Sequence, residues 1–217
     1  PGMAHGAIVF SEHPRARVLA IHTDEAADMP GVVRILTADD IPGERVLGLY
    51  AKDWPVYIKV GEVTRYIGDA LACVVAETEA EARAAAACVK VDYEILTPLL
   101  DMEEAETSPI HIHENGNILL DKTIRRGEPV DEALARCAFT AEATYRTQAV
   151  EHAFIEPEAT LAVPEAGGVR LYVQSQGIWH DKTDIAALLH VPTPKVTVTL
   201  ADSGGAFGGK EDFTCQP

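Results

Sequence analysis

Positive charge is scarce in this sequence: 18 Lys and Arg stand against 34 Asp and Glu, a net charge of −16. Such a balance repels polyphosphate backbones and anionic bilayers, which argues against nucleic acid and membrane surfaces as partners. Long hydrophobic runs are also missing. No apolar stretch approaches the roughly 20 residues that cross a bilayer, and the first residues carry no basic segment leading into a hydrophobic core. The chain therefore reads as soluble and cytoplasmic. Cysteine is sparse, with Cys73, Cys88, Cys137 and Cys215 widely spaced and no CxxC pair. That spacing excludes a zinc-type rhythm, so the four read as buried, reduced thiols. No internal repeat of fixed period is visible. What remains, 47% hydrophobic and 24% charged residues over 217 positions, is ample for one large or two smaller folded domains.

The first hundred residues alternate strand-like and helix-like segments. Residues 6–10, 16–21 and 32–36 are short and rich in Val and Ile, and Thr23 precedes a helix start. Ala70 to Ala76 is a near-continuous apolar run, as expected of a strand buried on both faces. Thr78 can cap a helix running to about Cys88, whose alanines let it lie close to a sheet, and residues 89–95 alternate as a strand. This order predicts an α/β layer. From Met102 the sequence turns acidic and broken, reading as a linker over 102–129 between domains at 1–101 and 130–217. His111 and His113 supply only two potential metal ligands and read as exposed linker residues. Beyond it the pattern predicts a helix over 131–138 and strands over 139–147, 159–163 and 169–174. An amphipathic helix carrying Ile185, Leu188 and Leu189 follows, and a last strand spans 195–200.

That last strand opens into Ser203-Gly204-Gly205-Ala206-Phe207-Gly208-Gly209-Lys210-Glu211. Glycines lack the Cβ that keeps a backbone away from a bound group. Residues 204–210 satisfy GxxxxGK, yet Glu211 stands where a triphosphate site needs a hydroxyl for magnesium, and GxGxxG fails at Ala206 or Phe207. A simple flexible turn remains open, although Phe207 between glycine pairs is an unusual choice for one.

Two loops read together point further. Ser175-Gln176-Gly177-Ile178-Trp179-His180 and Gly204 to Glu211 resemble the large molybdenum-binding subunit of the xanthine dehydrogenase and aldehyde oxidase family. Val150-Glu151-His152-Ala153-Phe154-Ile155-Glu156-Pro157 is similar to that family's "EH…LEP" segment. His5 to Gly43 and Ile67 to Glu94 resemble its α/β-hammerhead domain.

The resemblance implies a fold: an α/β hammerhead followed by the α+β start of a molybdopterin-binding domain. It implies a molybdenum–molybdopterin cofactor, iron–sulfur and often FAD-bearing partners, and the remainder of the molybdenum subunit. It also implies hydroxylation of a small molecule, an N-heteroaromatic (purine-like) compound or an aldehyde, with water-derived oxygen. Gln176 takes the place of a glutamine that donates to an oxo group on the metal, and Phe207 and Gly208 the place of the cofactor-facing loop. Glu211 takes the place of a substrate-contacting carboxylate. Glu151, His152 and Glu156 are read as structural, and the catalytic base is expected beyond Pro217. The family's loop often reads QGPF, whereas Gly177-Ile178-Trp179 stands here. A fragment of this kind is expected to be inactive alone. The competing reading is a non-catalytic binding or assembly module, or one half of a split molybdenum subunit.

Overall fold

The computed structural model describes residues 2–211. Cys215 lies outside them. Seven strands and two helices occupy the first part: β1 (His5–Phe10), β2 (Ala16–His22), α1 (Asp24–Ala27), β3 (Val32–Thr37), β4 (Val46–Leu47), β5 (Trp54–Pro55), β6 (Ala70–Ala76), α2 (Glu79–Ala86) and β7 (Lys90–Ile95).

β6 is the centre of a sheet ordered β1-β6-β3, with both neighbours antiparallel. Its apolar run is spent on two covered faces, and Leu71, Ala72 and Val74 are inaccessible to solvent. An antiparallel strand with cover on both sides needs the same unbroken hydrophobicity as a parallel one. α2 starts where Thr78 accepts a hydrogen bond from the Glu81 backbone N–H at 3.2 Å. Ala82 and Ala85 bring its face flush against the sheet, where Ala26, Val74 and Ala85 form one core cluster. α2 does not connect two strands of one sheet, however. β7 pairs antiparallel with β2, and Val18, Ile58 and Leu71 fill the space between the two sheets. Tyr57 is half-buried beside Cys73, and loss of solvent drives its phenol well above the usual value.

Across residues 102–160 only α3 (Met102–Thr107) and α4 (Val130–Ala135) are regular. The acidic start of the expected linker is a helix because Asp101 caps it, accepting from the Glu103 and Glu104 N–H groups at 2.9 Å. The expected strand over 139–147 is not formed. Its alternation finds no partner strand among the described residues, and Phe139 and Tyr145 stand exposed. His113 is not a free linker residue, since its Nδ1 lies 2.9 Å from an Asp53 carboxylate oxygen. Nor are all the thiols buried: Cys73 is, Cys88 is half-buried and Cys137 is exposed.

The last part contains β8 (Leu161–Glu165), β9 (Gly168–Val173), α5 (Ile178–Leu188) and β10 (Val196–Leu200). β8 and β9 form an antiparallel hairpin, while β9 and β10 run parallel with α5 as the crossover. Leu171, Val173, Ile185, Ala186 and Val196 make its core. Leu189, expected on the apolar side, ends the helix and is largely out of it. The two parts touch where the Glu44 N–H donates to the Ala187 carbonyl at 3.0 Å.

Candidate active site

Parallel pairing explains how residues some thirty positions apart meet. The chain leaves the carboxyl end of β9 through Gln174 to Gly177 and the carboxyl end of β10 through 201–211. Neighbouring parallel strands deliver both loops to one edge, the place where α/β sheets bind ligands. The ladder is extended by the Ala201 N–H donating to the Val173 carbonyl, and the Gln176 N–H donating to the Lys210 carbonyl, each at 2.8 Å.

Gln176 is bound to the glycine loop through its side chain as well. Its Oε1 accepts from the Gly208 N–H at 2.9 Å and from the Lys210 N–H at 3.3 Å. Two backbone donors fix which end of the amide is oxygen. The Nε2 group is left as a donor without a hydrogen-bond partner among the described residues.

The loop's shape needs its glycines. Gly205 and Gly208 have φ values of +101° and +94°, and Phe207 itself sits at +54°. A Cβ on Gly205 would lie 3.1 Å from the Phe207 ring, so the glycine makes room for that side chain. Phe207 is exposed, as is Gly208. Glu211 follows at the loop's end, and its carbonyl comes within 3.1 Å of where a Cβ on Gly177 would stand.

Beneath the loop lies a buried brace. Lys210 is 1% exposed. Its Nζ donates to the Glu156 carbonyl at 3.1 Å, lies 3.9 Å from the Glu156 carboxylate, and sits 4.6 Å above the Phe154 ring. Glu156 in turn accepts from the Gln174 amide at 2.6 Å and from the Gly204 backbone N–H. The structural reading of Glu156 is thereby given a partner set. No group of three or more His, Cys, Asp or Glu among the described residues can hold a metal ion. The brace also disposes of the triphosphate reading, because the lysine that would reach phosphates points inward. Lys210 is not legible as a structural residue from the sequence, because the aromatic and the acid that hold it lie over fifty positions upstream.

Beside the loops, a hollow is bounded by Leu47 and Trp54 from the β4–β5 hairpin and by His180, Asp181, Asp184 and Glu211. Burial pushes the Asp181 carboxyl up, with the Ser175 hydroxyl opposing it. Burial pushes Asp184 up too, against the pull of His180 and Lys52. A folded value above the unfolded one means that protonation favours the fold. That contribution is complete below the ordinary carboxylate value and is lost as pH rises through the raised one. Asp184→Asn is therefore expected to raise the unfolding midpoint at pH 8 by about 1–2 °C. The gain should shrink towards zero below about pH 4. A gain independent of pH across thermal scans would contradict the assignment.

Against known proteins, residues 1–97 match the family model "Aldehyde oxidase and xanthine dehydrogenase, a/b hammerhead domain" and residues 110–217 match "Molybdopterin cofactor-binding domain". The chain is 34% identical to a probable xanthine dehydrogenase subunit of Bacillus subtilis over all of this chain and 29% of that protein. It is also 34% identical to the nicotinate dehydrogenase large molybdopterin subunit of Eubacterium barkeri, over all of this chain and 51% of that one. Among solved structures, the aldehyde oxidoreductase of Desulfovibrio gigas superposes with a TM-score of 0.88 at 28% identity, covering 96% of this chain and 24% of that one. The chain thus spans about a third to a half of these two curated relatives. Among the described residues no helix is long and apolar enough to cross a membrane.

Proposed function

The chain belongs to the xanthine dehydrogenase and aldehyde oxidase family, and from that premise we propose that it forms one wall of the active site of a molybdenum hydroxylase. The Gln176 amide carries this reading. An oxo group offers only lone pairs, so its neighbour has to donate, and the two backbone N–H groups on Oε1 leave Nε2 as a donor with no partner among the described residues. The glycines let the loop lie close on its support, since a Cβ on Gly204 would meet Glu156 and one on Gly209 would meet Phe154 and His152, and the loop turns Phe207 and the Gly208 backbone outward, where a cofactor can approach.

When bound, the molybdenum–molybdopterin group supplies the two-electron oxidation that inserts water-derived oxygen into a C–H bond. The chain's own residues bind and orient. Gln176 and the Phe207–Gly208 backbone hold the cofactor's edge, and the Phe207 ring supplies an apolar surface. Glu211 accepts an N–H or steadies positive charge on an N-heteroaromatic, purine-like substrate. Aldehydes need no such acceptor, so Glu211 leans the substrate towards the ring compounds. Iron–sulfur and flavin partners would accept the electrons, and the proton-accepting base would come from the remainder of the subunit. By itself this chain is catalytically silent.

Gln176→Ala in the complete enzyme is expected to lower kcat by about 100-fold, the usual effect of removing one preorganised donor. Wild-type turnover in that variant would remove Gln176 from the metal's surroundings. Stoichiometric molybdenum and turnover in the isolated chain would overturn the claim of silence.

A further inference from the structure

The outer strands of the first domain differ in how they meet their surroundings. β3 carries Arg34 and β7 carries Lys90, Asp92 and Glu94, charges of the kind that keep a bare strand from pairing with other chains. β1 reads His5-Gly6-Ala7-Ile8-Val9-Phe10, without a lysine, arginine, carboxylate or proline. Among the described residues it pairs only with β6. Beside it runs a groove of about 770 Å³, lined by every residue from Gly6 to Phe10. Side chains of a strand alternate between its faces, so an unbroken run of lining residues means that the groove follows the strand's edge. Ala86 and Ala87 at the end of α2 close the groove on one side, and Val91 and Tyr93 of β7 close it on the other. Both walls continue the packed interior: Val9 and Ala86 lean on the cluster of Val74 and Ala85, and Val91 and Tyr93 on that of Val18 and Leu71. Helix, sheet and second sheet thus make three layers, and the middle one stops a strand short.

We propose that this groove takes an extended, apolar segment of the complete molybdenum subunit, added to the three-stranded sheet as a fourth strand against β1. The dimensions fit. A strand takes up about 3.3 Å per residue along its axis, about 4.8 Å to its neighbour and about 10 Å between layers, so the groove holds about five residues. The surroundings set the chemistry. With α2 over one face and β7 over the other, both sets of alternating side chains are enclosed, and the segment is apolar throughout, as β6 is. Glu12, Arg83, Lys90 and Glu158 also border the groove, two of each sign, so it selects for neither charge. The N–H and C=O groups on the outer edge of β1 gain the ladder partners that an enclosed backbone needs. The occupant comes from the same subunit: this chain covers only 29% and 51% of its two curated relatives, and a tethered strand meets its groove at a far higher effective concentration than a separate one. Nothing in this depends on the role of Gln176.

Two measurements on the complete enzyme with its electron-transfer partners test this. Amide hydrogen exchange is followed in peptides covering residues 5–10 of the unaltered protein. An edge strand leaves about every second amide without a ladder partner, whereas an enclosed strand leaves none. All the amides of β1 should therefore exchange slowly, the outward ones at least about tenfold slower than in a bare edge, the effect of one hydrogen bond. Exchange in two phases, with about half of these amides fast, overturns the proposal. The second measurement identifies the occupant. Phe10 lines the groove and is 45% exposed, so Phe10→benzoylphenylalanine places a photoreactive ring there. Irradiation should join it, within one polypeptide, to an apolar peptide of the molybdenum subunit outside residues 1–217. Cross-links to an iron–sulfur or flavin partner, a product of doubled mass from a second copy, or cross-links confined to residues 1–217 each overturn the proposal. If the Phe10 variant fails to accumulate, exchange in the unaltered enzyme decides. Failure of the molybdenum-site reading looks different, because Gln176→Ala would then leave turnover unaltered while β1 stays protected.

Discussion

Lys210→Met in the complete enzyme is expected to speed amide exchange at Gly204 and Gly208 by about thirtyfold and to cut molybdenum content severalfold. The magnitude follows from what the ammonium holds. It donates to the Glu156 carbonyl at 3.1 Å from a side chain with no exposed surface, and a buried hydrogen bond to a charged group contributes about 1.5–3 kcal/mol. The carboxylate 3.9 Å away adds little, because Glu156 is 38% exposed and water screens the pair. About 2 kcal/mol is then the change in local opening, which is the thirtyfold stated. Methionine keeps the apolar stem against Phe154, so the variant tests the charge rather than the packing. Exchange at the wild-type rate would show that the loop is held by its glycines alone. Glu156→Gln is the milder companion. It retains an acceptor for the Gln174 amide, so its effect should be smaller.

This brace shows where linear reading stops. Strands, turns and capped helices are legible because their signals are local: the apolar run of β6, the Thr78 cap and the alanines of α2 each announce an element within a few residues. Gln176, Phe207, Gly208 and Glu211 are marked by resemblance, and the parallel pairing of β9 with β10 brings the loops that carry them together. Lys210, Glu156 and Phe154 carry no local signal. A lysine in a glycine loop reads as a solvent-facing cation, and only the arrival of residues 152–156 beneath the loop makes it a buried one. The same holds for Asp181, whose acidity looks like an ordinary first-turn preference until its burial is seen. The expected strand over 139–147 fails for the converse reason. Alternation is a local signal, but a strand is a pairwise structure, and its row of N–H and C=O groups needs a ladder partner.

Gly43→Ala is the substitution expected to damage the site from farthest away. A Cβ at Gly43 would stand 1.9 Å from the Ala187 carbonyl oxygen, 2.7 Å from the Leu188 carbonyl oxygen and 2.9 Å from the His190 nitrogen. All three are backbone atoms at the end of α5, so no side chain can rotate away and the two parts have to separate. The next residue makes the joint, through the Glu44 N–H to Ala187 at 3.0 Å, and a few residues on the chain reaches Leu47 of the hollow's apolar cover. Overpacking against side chains costs about 1–3 kcal/mol, and a clash with rigid backbone belongs at or above the top of that range. Gly61→Ala is the control. Gly61 has open space around its Cβ position, and its φ of +93° charges an alanine only about 1–2 kcal/mol of backbone strain. Exchange at the Glu44 amide and limited proteolysis of the complete enzyme separate the two outcomes. Gly43→Ala should expose the Glu44 amide and open the β4–β5 hairpin to protease as it leaves Asp184 and Glu211, whereas Gly61→Ala should do neither. Equal behaviour of the two variants would mean that the hairpin reaches the hollow without help from the contact between Gly43 and α5.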